Sequence, residues 1–410
     1  MMKTEEQTQE YYDTTHIGVL DGIRAVSILI IVWFHLWQQS WIMPHIGSYS
    51  LDWLPRYGYL FVDMMLLLSS YCLFLPYARS MVLGTPMPEV RTFYKKRVAR
   101  IVPSYYFSLF IAATAGILSG TIATRSMLLK DLIPHLFFVH NYFYDSSLGT
   151  HMFGVLWTLA VEVQFYLIFP FLAKAFCGKP FITYFSMLGI GLFFSILISK
   201  NFTSLIQGMY VNHTLTFFTV YANGMLGAWA YVSIASGIKR HKALEGFCTL
   251  LSVGCIFLYK ILCADLSHYG DPMKWQIDRR FILSVVFLSF ILSTSLALPL
   301  YQKLWSNRLM RFLSAISFNL YIYHQEIAFK LKAARIPYYG GDTPPNMLGD
   351  MVWSRKYMAL CIVLAFVAAV AGTYLIEKPA AKAILKHPAT TDKTGISGKT
   401  DTSDKDKTSR

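Results

Sequence analysis

The sequence predicts an all-α polytopic membrane protein of about ten transmembrane helices plus one short re-entrant or interfacial helix, with both termini cytoplasmic. Three observations carry that expectation. Of the 410 residues, 55% are hydrophobic and only 15% charged, too apolar a mixture for an ordinary soluble domain. The apolar residues gather in runs near the ~20 residues that a helix needs to cross a bilayer core. The Lys and Arg behind the net charge of +14 fall mainly in short links between those runs, where the positive-inside bias places them. Membrane topology therefore accounts for the charge, and no nucleic acid is needed as a partner.

Ten runs qualify: 18–37, 58–78, 101–120, 153–175, 181–199, 214–236, 247–264, 281–300, 314–331 and 357–376. Residues 1–16 are polar, with Glu5, Glu6, Glu10 and Asp13, and no small-residue cleavage site follows the first run. That run is expected to stay as the first span rather than leave as a signal peptide. An eleventh run, LIPHLFFVHNYF at 132–143, is short and broken by Pro134, His135, His140 and Asn141. With it excluded as a span, the basic links 79–100, 174–180, 237–246 and 301–313 share one side. Counting it moves the last three to the other side, so it reads as re-entrant or interfacial, tolerated where it lines a protein cavity. Residues 17–385 then form one transmembrane domain, and 386–410, rich in Thr, Ser, Lys and Asp, predict a disordered cytoplasmic tail. The six cysteines lie in or beside apolar runs without zinc-site or disulfide spacing, so no metal is expected.

Chemistry must then reside in ionisable groups within or beside the spans, which are costly there and face a cavity or a partner. Arg24 and His35 are eleven residues apart, three turns plus about 20°, which places both on one helix face roughly 16 Å apart. One face can serve one elongated ligand. Asp63 opens the second span at a depth similar to His35, where it can orient or pair with the imidazole. Arg97 and Arg100, one turn apart just before the third run, can fork onto an anion; a positive-inside anchor would look the same. Glu162, near the middle of its span beside Gln164 and Tyr166, needs a cationic or hydrogen-bonding partner. His324 poses the same problem with Asn319, Tyr323 and Gln325 nearby, and His140 and Asn141 sit on the interrupted run.

Six segments together resemble the acyltransferase 3 family of integral membrane acyltransferases. LDGIRAVSILIIVWFH is similar to its opening motif, an Arg followed after ten residues by a His, here Arg24 and His35. FVDMMLLLSSYCLF resembles the second-span motif, FYKKRVARIVPSYY the Arg-x-x-Arg motif, and LWTLAVEVQFYLIFPF the Trp-Ser-Leu-x-x-Glu-x-x-Phe-Tyr motif. ISFNLYIYHQEI resembles Ser-x-x-Leu-Tyr-x-x-His, and LIEKPAAK the terminal Glu-x-Pro. The resemblance runs in order from about residue 18 to 382, and the expectation it carries is the stand-alone form without a fused esterase-like domain. It departs at Ser70, where the family commonly has Gly, and at Met64 and Met65, where aromatic residues are common.

The resemblance implies transfer of an acyl group, most often acetyl, from cytoplasmic acetyl-CoA or another acyl-CoA to a hydroxyl of a cell-envelope glycan, lipid-linked sugar or similar acceptor. The implied setting is a bacterial inner membrane, with membrane lipid as surroundings. Such transfer needs a base, a seat for the anionic donor and oxyanion stabilisation. On these residues Arg97, Arg100 and Arg24 would hold the coenzyme A phosphates, and His35 would act as general base or transient acyl carrier. Asp63 or Glu162 would orient the imidazole, and Tyr166, Asn141, His324 and Tyr323 would contact the acceptor. A transporter or flippase is the competing class, since buried Arg, His, Asp and Glu also mark transport pathways; its expected signature of paired internal repeats with broken helices does not stand out in the sequence.

Overall fold

The computed structural model of the protein describes residues 17–201 and 208–386, so the polar segment 1–16 and the tail from 387 lie outside the described residues. Among the described residues, ten long helices dominate: α1 Gly18–Ser40, α2 Phe61–Leu83, α3 Val90–Leu118, α4 Trp157–Gly178, α5 Pro180–Asn201, α6 Phe218–Gly237, α7 Lys242–His268, α8 Pro272–Leu296, α9 Arg308–Ala333 and α10 Met351–Ala371. The only sheet described is a two-stranded hairpin, His45–Ile46 with Tyr49–Ser50. Each apolar run falls on one of these helices. The boundary of α3 differs most, because the helix already begins at Val90. Lys95, Lys96, Arg97 and Arg100 therefore stand inside a helix rather than before it, as good helix formers can.

Eight of the ten helices are long and apolar enough to cross a bilayer; α6 and α9 are not among them. Both are helices of the interior. α6 buries Asn223, hydrogen-bonded to Tyr184 and Ser284, and α9 buries Asn319 and His324, and a helix shielded by protein needs less hydrophobicity than one facing lipid. The periphery shows the opposite pattern. α5 and α7 turn Phe181, Phe185, Phe193, Phe247, Leu250 and Phe257 outward, as lipid-facing helices do.

Contacts between helix ends define two faces. Gly18 and Gly22 of α1 lie against Ser306 and Trp305, just before α9. Arg240, after α6, donates to the carbonyls of Leu296 and Ala297 at the end of α8, and Lys95 donates to Leu385 O at 3.2 Å. This face carries the basic links. On the opposite face Tyr259 OH donates to Tyr57 O and Lys332 to Gln39 O.

The interrupted run 132–143 forms the end of a 12-residue helix, Arg125–Leu136, and a short turn at His140–Tyr142. Tyr105 and Tyr106, midway along α3, donate their hydroxyls to the carbonyls of His135 and Leu136, both at 2.8 Å. Gln164 of α4 donates to Phe138 O at 2.7 Å and to Asn141 Oδ1 at 2.9 Å. The segment thus dips into the bundle from the face opposite the basic links, and these side chains satisfy carbonyls that a broken helix leaves open.

The tightest helix pairing, α2 on α6, explains the departure at Ser70. A Cβ on Gly224 would meet Ser70 Oγ, Leu67 O at 2.6 Å and Tyr71 N at 3.0 Å. The small residue that lets the backbones approach stands here on α6, which leaves room for a hydroxyl on α2.

Candidate functional site

Two chambers lie end to end between α1, α2, α4 and α9, with volumes of about 150 Å³ toward the basic face and 210 Å³ toward the opposite face. Val62 and Tyr321 line both and stand between them.

The inner chamber collects residues from four separate motifs: Arg24 of α1, Arg97 and Arg100 of α3, Glu162 and Tyr166 of α4, and Ser69 of α2. Arg24 Nη1 lies 3.7 Å from Asp21, one turn earlier, and donates to Ser314 of α9 at 3.4 Å. Ser314 in turn donates to Asp21 at 3.0 Å. Arg97 lies over the rings of Phe93 and Tyr166, at 5.8 and 5.7 Å from their centres, and its Nε has no hydrogen-bond partner among the described residues. Stacking fixes the guanidinium plane while leaving donors for a ligand. Glu162 is satisfied by hydroxyls: Ser69 donates to its Oε1 at 2.6 Å, and Tyr166 OH donates to the same oxygen.

The outer chamber holds His35, Asp63 and Arg280 with Gln325, Gln276 and Asn212, between the aromatic faces of Phe34, Tyr59 and Trp157. His35 is only partly buried. Its Nδ1 lies 3.2 Å from Gln38 Oε1 and 2.9 Å from Gln325 Nε2, so two amides hold the ring, one serving a protonated Nδ1 and the other a bare one. Asp63 shares the chamber, but its partner is Arg280 of α8, at 3.2 Å. Glu162 lines the other chamber.

His324 is fully buried behind His35, the ring centres 5.1 Å apart. Its Nδ1 faces the carbonyls of Leu320 and Tyr321 at 3.1 and 2.8 Å, so Nδ1 carries the proton. Its Nε2 has no partner among the described residues. His324 lines neither chamber, and two more sequence candidates stand apart from both. Asn141 is committed to Gln164, and Tyr323 lines a separate apolar cavity with Phe107, Phe153 and Gly372.

Five residues of the site, four lining a chamber and Gln38 touching His35, were not among the sequence candidates. Ser69 and Gln325 lie inside the second and ninth runs without a charge to mark them, and Tyr321 resembles any interfacial aromatic. Gln38 follows the first run. Arg280 hides in the cluster Asp278-Arg279-Arg280, immediately before the eighth run, where it reads as a link; α8 in fact begins at Pro272.

Comparison with known proteins agrees with this picture. A family model described as an acyltransferase domain, that of acyltransferase 3 proteins, matches residues 17–378. The chain is 23% identical to the peptidoglycan O-acetyltransferase OatA of Listeria monocytogenes over 337 residues, 77% of this chain and 50% of that protein. It is 24% identical to the O-acetyltransferase OatA of Staphylococcus aureus over 341 residues, 79% of this chain and 53% of that protein. It spans about half the length of these relatives. No solved structure is detectably similar to it. A family match over almost the whole described chain, with five of the six motifs of that family lining two adjacent chambers in a bundle of apolar helices, makes this protein an integral membrane member of the acyltransferase 3 family.

Proposed function

We propose that the protein is an O-acyltransferase that takes an acyl group, acetyl in the simplest case, from acyl-CoA at a cytoplasmic basic face and passes it to a hydroxyl of a cell-envelope glycan or lipid-linked sugar. In this reading all ten long helices cross a bacterial inner membrane and both termini are cytoplasmic. The supporting observation is the pair of chambers meeting at Val62 and Tyr321, one lined by Arg24, Arg97 and Arg100 and the other by His35.

The inner chamber suits the donor. Three guanidinium groups offer forked hydrogen bonds to phosphate oxygens, and the acyl-bearing arm threads from them past Ser69, Glu162 and Tyr166 toward Val62 and Tyr321. His35 then supplies basicity. With Nδ1–H donating to Gln38, the bare nitrogen is Nε2, which has no hydrogen bond to a described residue. In the base route Nε2 removes the proton of the acceptor hydroxyl as its oxygen attacks the thioester carbonyl; the C–S bond breaks and the thiolate leaves with that proton. In the carrier route Nε2 itself attacks, coenzyme A leaves, and the hydroxyl then displaces the imidazole. Glu162, in the inner chamber, places its hydroxyl partners Ser69 and Tyr166 along the path of the donor arm, where O–H donors can meet a developing oxyanion.

The test is coenzyme A release by purified protein given acetyl-CoA and one of three acceptors: an N-acetylglucosamine tetramer, soluble peptidoglycan disaccharide fragments, or tetragalacturonate. His35→Ala and Arg24→Ala are expected to abolish transfer while the protein still inserts in the membrane. Full activity in His35→Ala overturns the mechanism. Arg97→Ala combined with Arg100→Ala should weaken acyl-CoA binding more than acceptor binding. Mass spectrometry of acetyl-CoA-treated protein without acceptor separates the routes, since only the carrier route leaves an acetyl group on His35.

A further inference from the structure

We propose that Arg280 is an acceptor-recognition residue: with Asp63 it forms a charge-neutral pair that presents a neutral sugar hydroxyl to His35, a proposal that rests on the acyl-transfer reading above. Arg280 and Asp63 are 3% and 5% exposed, 3.2 Å apart, and line the same chamber as His35. The guanidinium is fixed on its remaining sides. Nη1 donates to Val211 O at 2.8 Å, Nη2 to Gln276 Oε1 at 3.4 Å, and its face covers the Phe217 ring at 4.0 Å. It is not a mobile cation waiting for an anion.

The edge between the two side chains is under-satisfied. Neither Arg280 Nε nor Asp63 Oδ1 has a hydrogen-bond partner among the described residues, so their contact is one of charge without bond alignment. A hydroxyl is donor and acceptor at once. On slight parting of the pair it can donate to Asp63 and accept from Arg280, which leaves its oxygen oriented and its neighbours on the sugar ring free to meet His35. Stability alone explains the pair poorly, because buried ion pairs are often no better than apolar packing of the same volume.

Charge separates the two chambers in the same sense. The inner one sets three guanidinium groups against the single carboxylate of Glu162, whereas the outer one sets Arg280 against Asp63. An anionic donor is favoured in the first and a neutral polyol in the second. Trp157 and Tyr59 add aromatic faces for sugar C–H groups, and Asn212 and Gln276 add amides.

The test uses the full-length enzyme and the same three acceptors. The N-acetylglucosamine tetramer should be used at least about 10-fold better, by kcat/KM, than tetragalacturonate. Arg280→Gln should raise the acceptor KM about 10-fold or more and leave coenzyme A affinity within about 2-fold. The double variant Asp63→Asn with Arg280→Gln restores neutrality and hence thermal stability, but the acceptor KM should stay high. If the double variant recovers the wild-type KM, or if tetragalacturonate is the better acceptor, the proposal is overturned. Should Arg280→Gln alone fail to fold, the double variant and Gln276→Leu, at the chamber wall, carry the same comparison. Transfer to none of the three acceptors overturns the acyl-transfer reading itself, whereas transfer with an unmoved KM overturns only the role of Arg280.

Discussion

Ser69 illustrates what a single hydroxyl decides in the inner chamber. It donates to Glu162 Oε1 at 2.6 Å and lies 3.1 Å from Tyr166 OH, so it fixes which way the carboxylate and the phenol face. A hydrogen bond to a charged group is worth about 1.5–3 kcal/mol. Ser69→Ala is therefore expected to lower kcat roughly 10- to 100-fold with little change in coenzyme A affinity, as read by initial rates of coenzyme A release, and Ser69→Thr should retain most of the rate. An unchanged rate in Ser69→Ala would mean that Glu162 needs no positioning. At this scale the sequence marks charge well and neutral partners poorly. Arg24, His35, Asp63 and Glu162 were visible because each is expensive in an apolar run, but Ser69, Gln38 and Gln325 cost little there and gave no signal. The pairing of Asp63 with Arg280 was also illegible, since it joins residues 217 positions apart in the chain and no spacing rule on one helix reaches that far.

Between elements, two contacts make strong claims. The first is α2 on α6, where a side chain at Gly224 would run into Leu67 O and Tyr71 N as well as Ser70. Gly224→Leu should cost at least the 1–3 kcal/mol typical of overpacking, seen as a lower melting temperature in detergent, because backbone cannot move aside as a flexible side chain can. The second is the interrupted segment 132–143. His140 is buried with its ring stacked on His135, centres 3.8 Å apart, and His135 lies 3.3 Å from Asp131. Asp131 in turn accepts from Thr150 and from His151 N. Burial first, then the neighbouring His135, pushes His140 down to about 2, against a smaller opposing influence from the Leu156 backbone. A histidine depressed in the folded protein stays neutral there, while the unfolded segment takes up a proton below about pH 6.5. Its stabilising share is thus complete above that pH and is lost progressively as the pH falls from 6.5 toward 2. Protection from hydrogen exchange across residues 132–153, taken relative to the intrinsic rate at each pH, should fall between pH 7.5 and 5, and His140→Phe should flatten that response. A segment equally protected at both pH values would show that the stacked pair does not govern it. The position of this segment was legible from its broken pattern; its anchors Tyr105, Tyr106 and Gln164 were not, because they belong to helices far away in sequence.

For the whole molecule, the number of crossings decides the sidedness of everything else. Composition alone supports eight spans, and the ten-run pattern in the sequence was legible because helical periodicity and length survive even where hydropathy weakens. The physical case for α6 and α9 as crossings is geometric. α6 begins beside the outer chamber, where its preceding Phe217 forms part of the wall. It ends where Arg240 meets the carbonyls of Leu296 and Ala297 on the basic face. α9 starts beside Gly18 and Gly22 of α1 and carries Tyr321 and Gln325 to the outer chamber. If α6 did not cross, the links with Lys239, Arg240 and Lys242 and with Lys303, Arg308 and Arg311 would both move to the side opposite the links 79–100 and 174–180, against the bias that places Lys and Arg in the cytoplasm. Single cysteines in a cysteine-free background test this directly. At Lys242 and Lys303 they should resist a membrane-impermeant thiol reagent in intact cells and react after the membrane is opened; at Asp145 and Asp342 they should react in both. Labelling of Lys303→Cys in intact cells while Lys95→Cys stays protected would break the ten-crossing topology, and with it the placement of Arg24, Arg97 and Arg100 on the side where acyl-CoA is made.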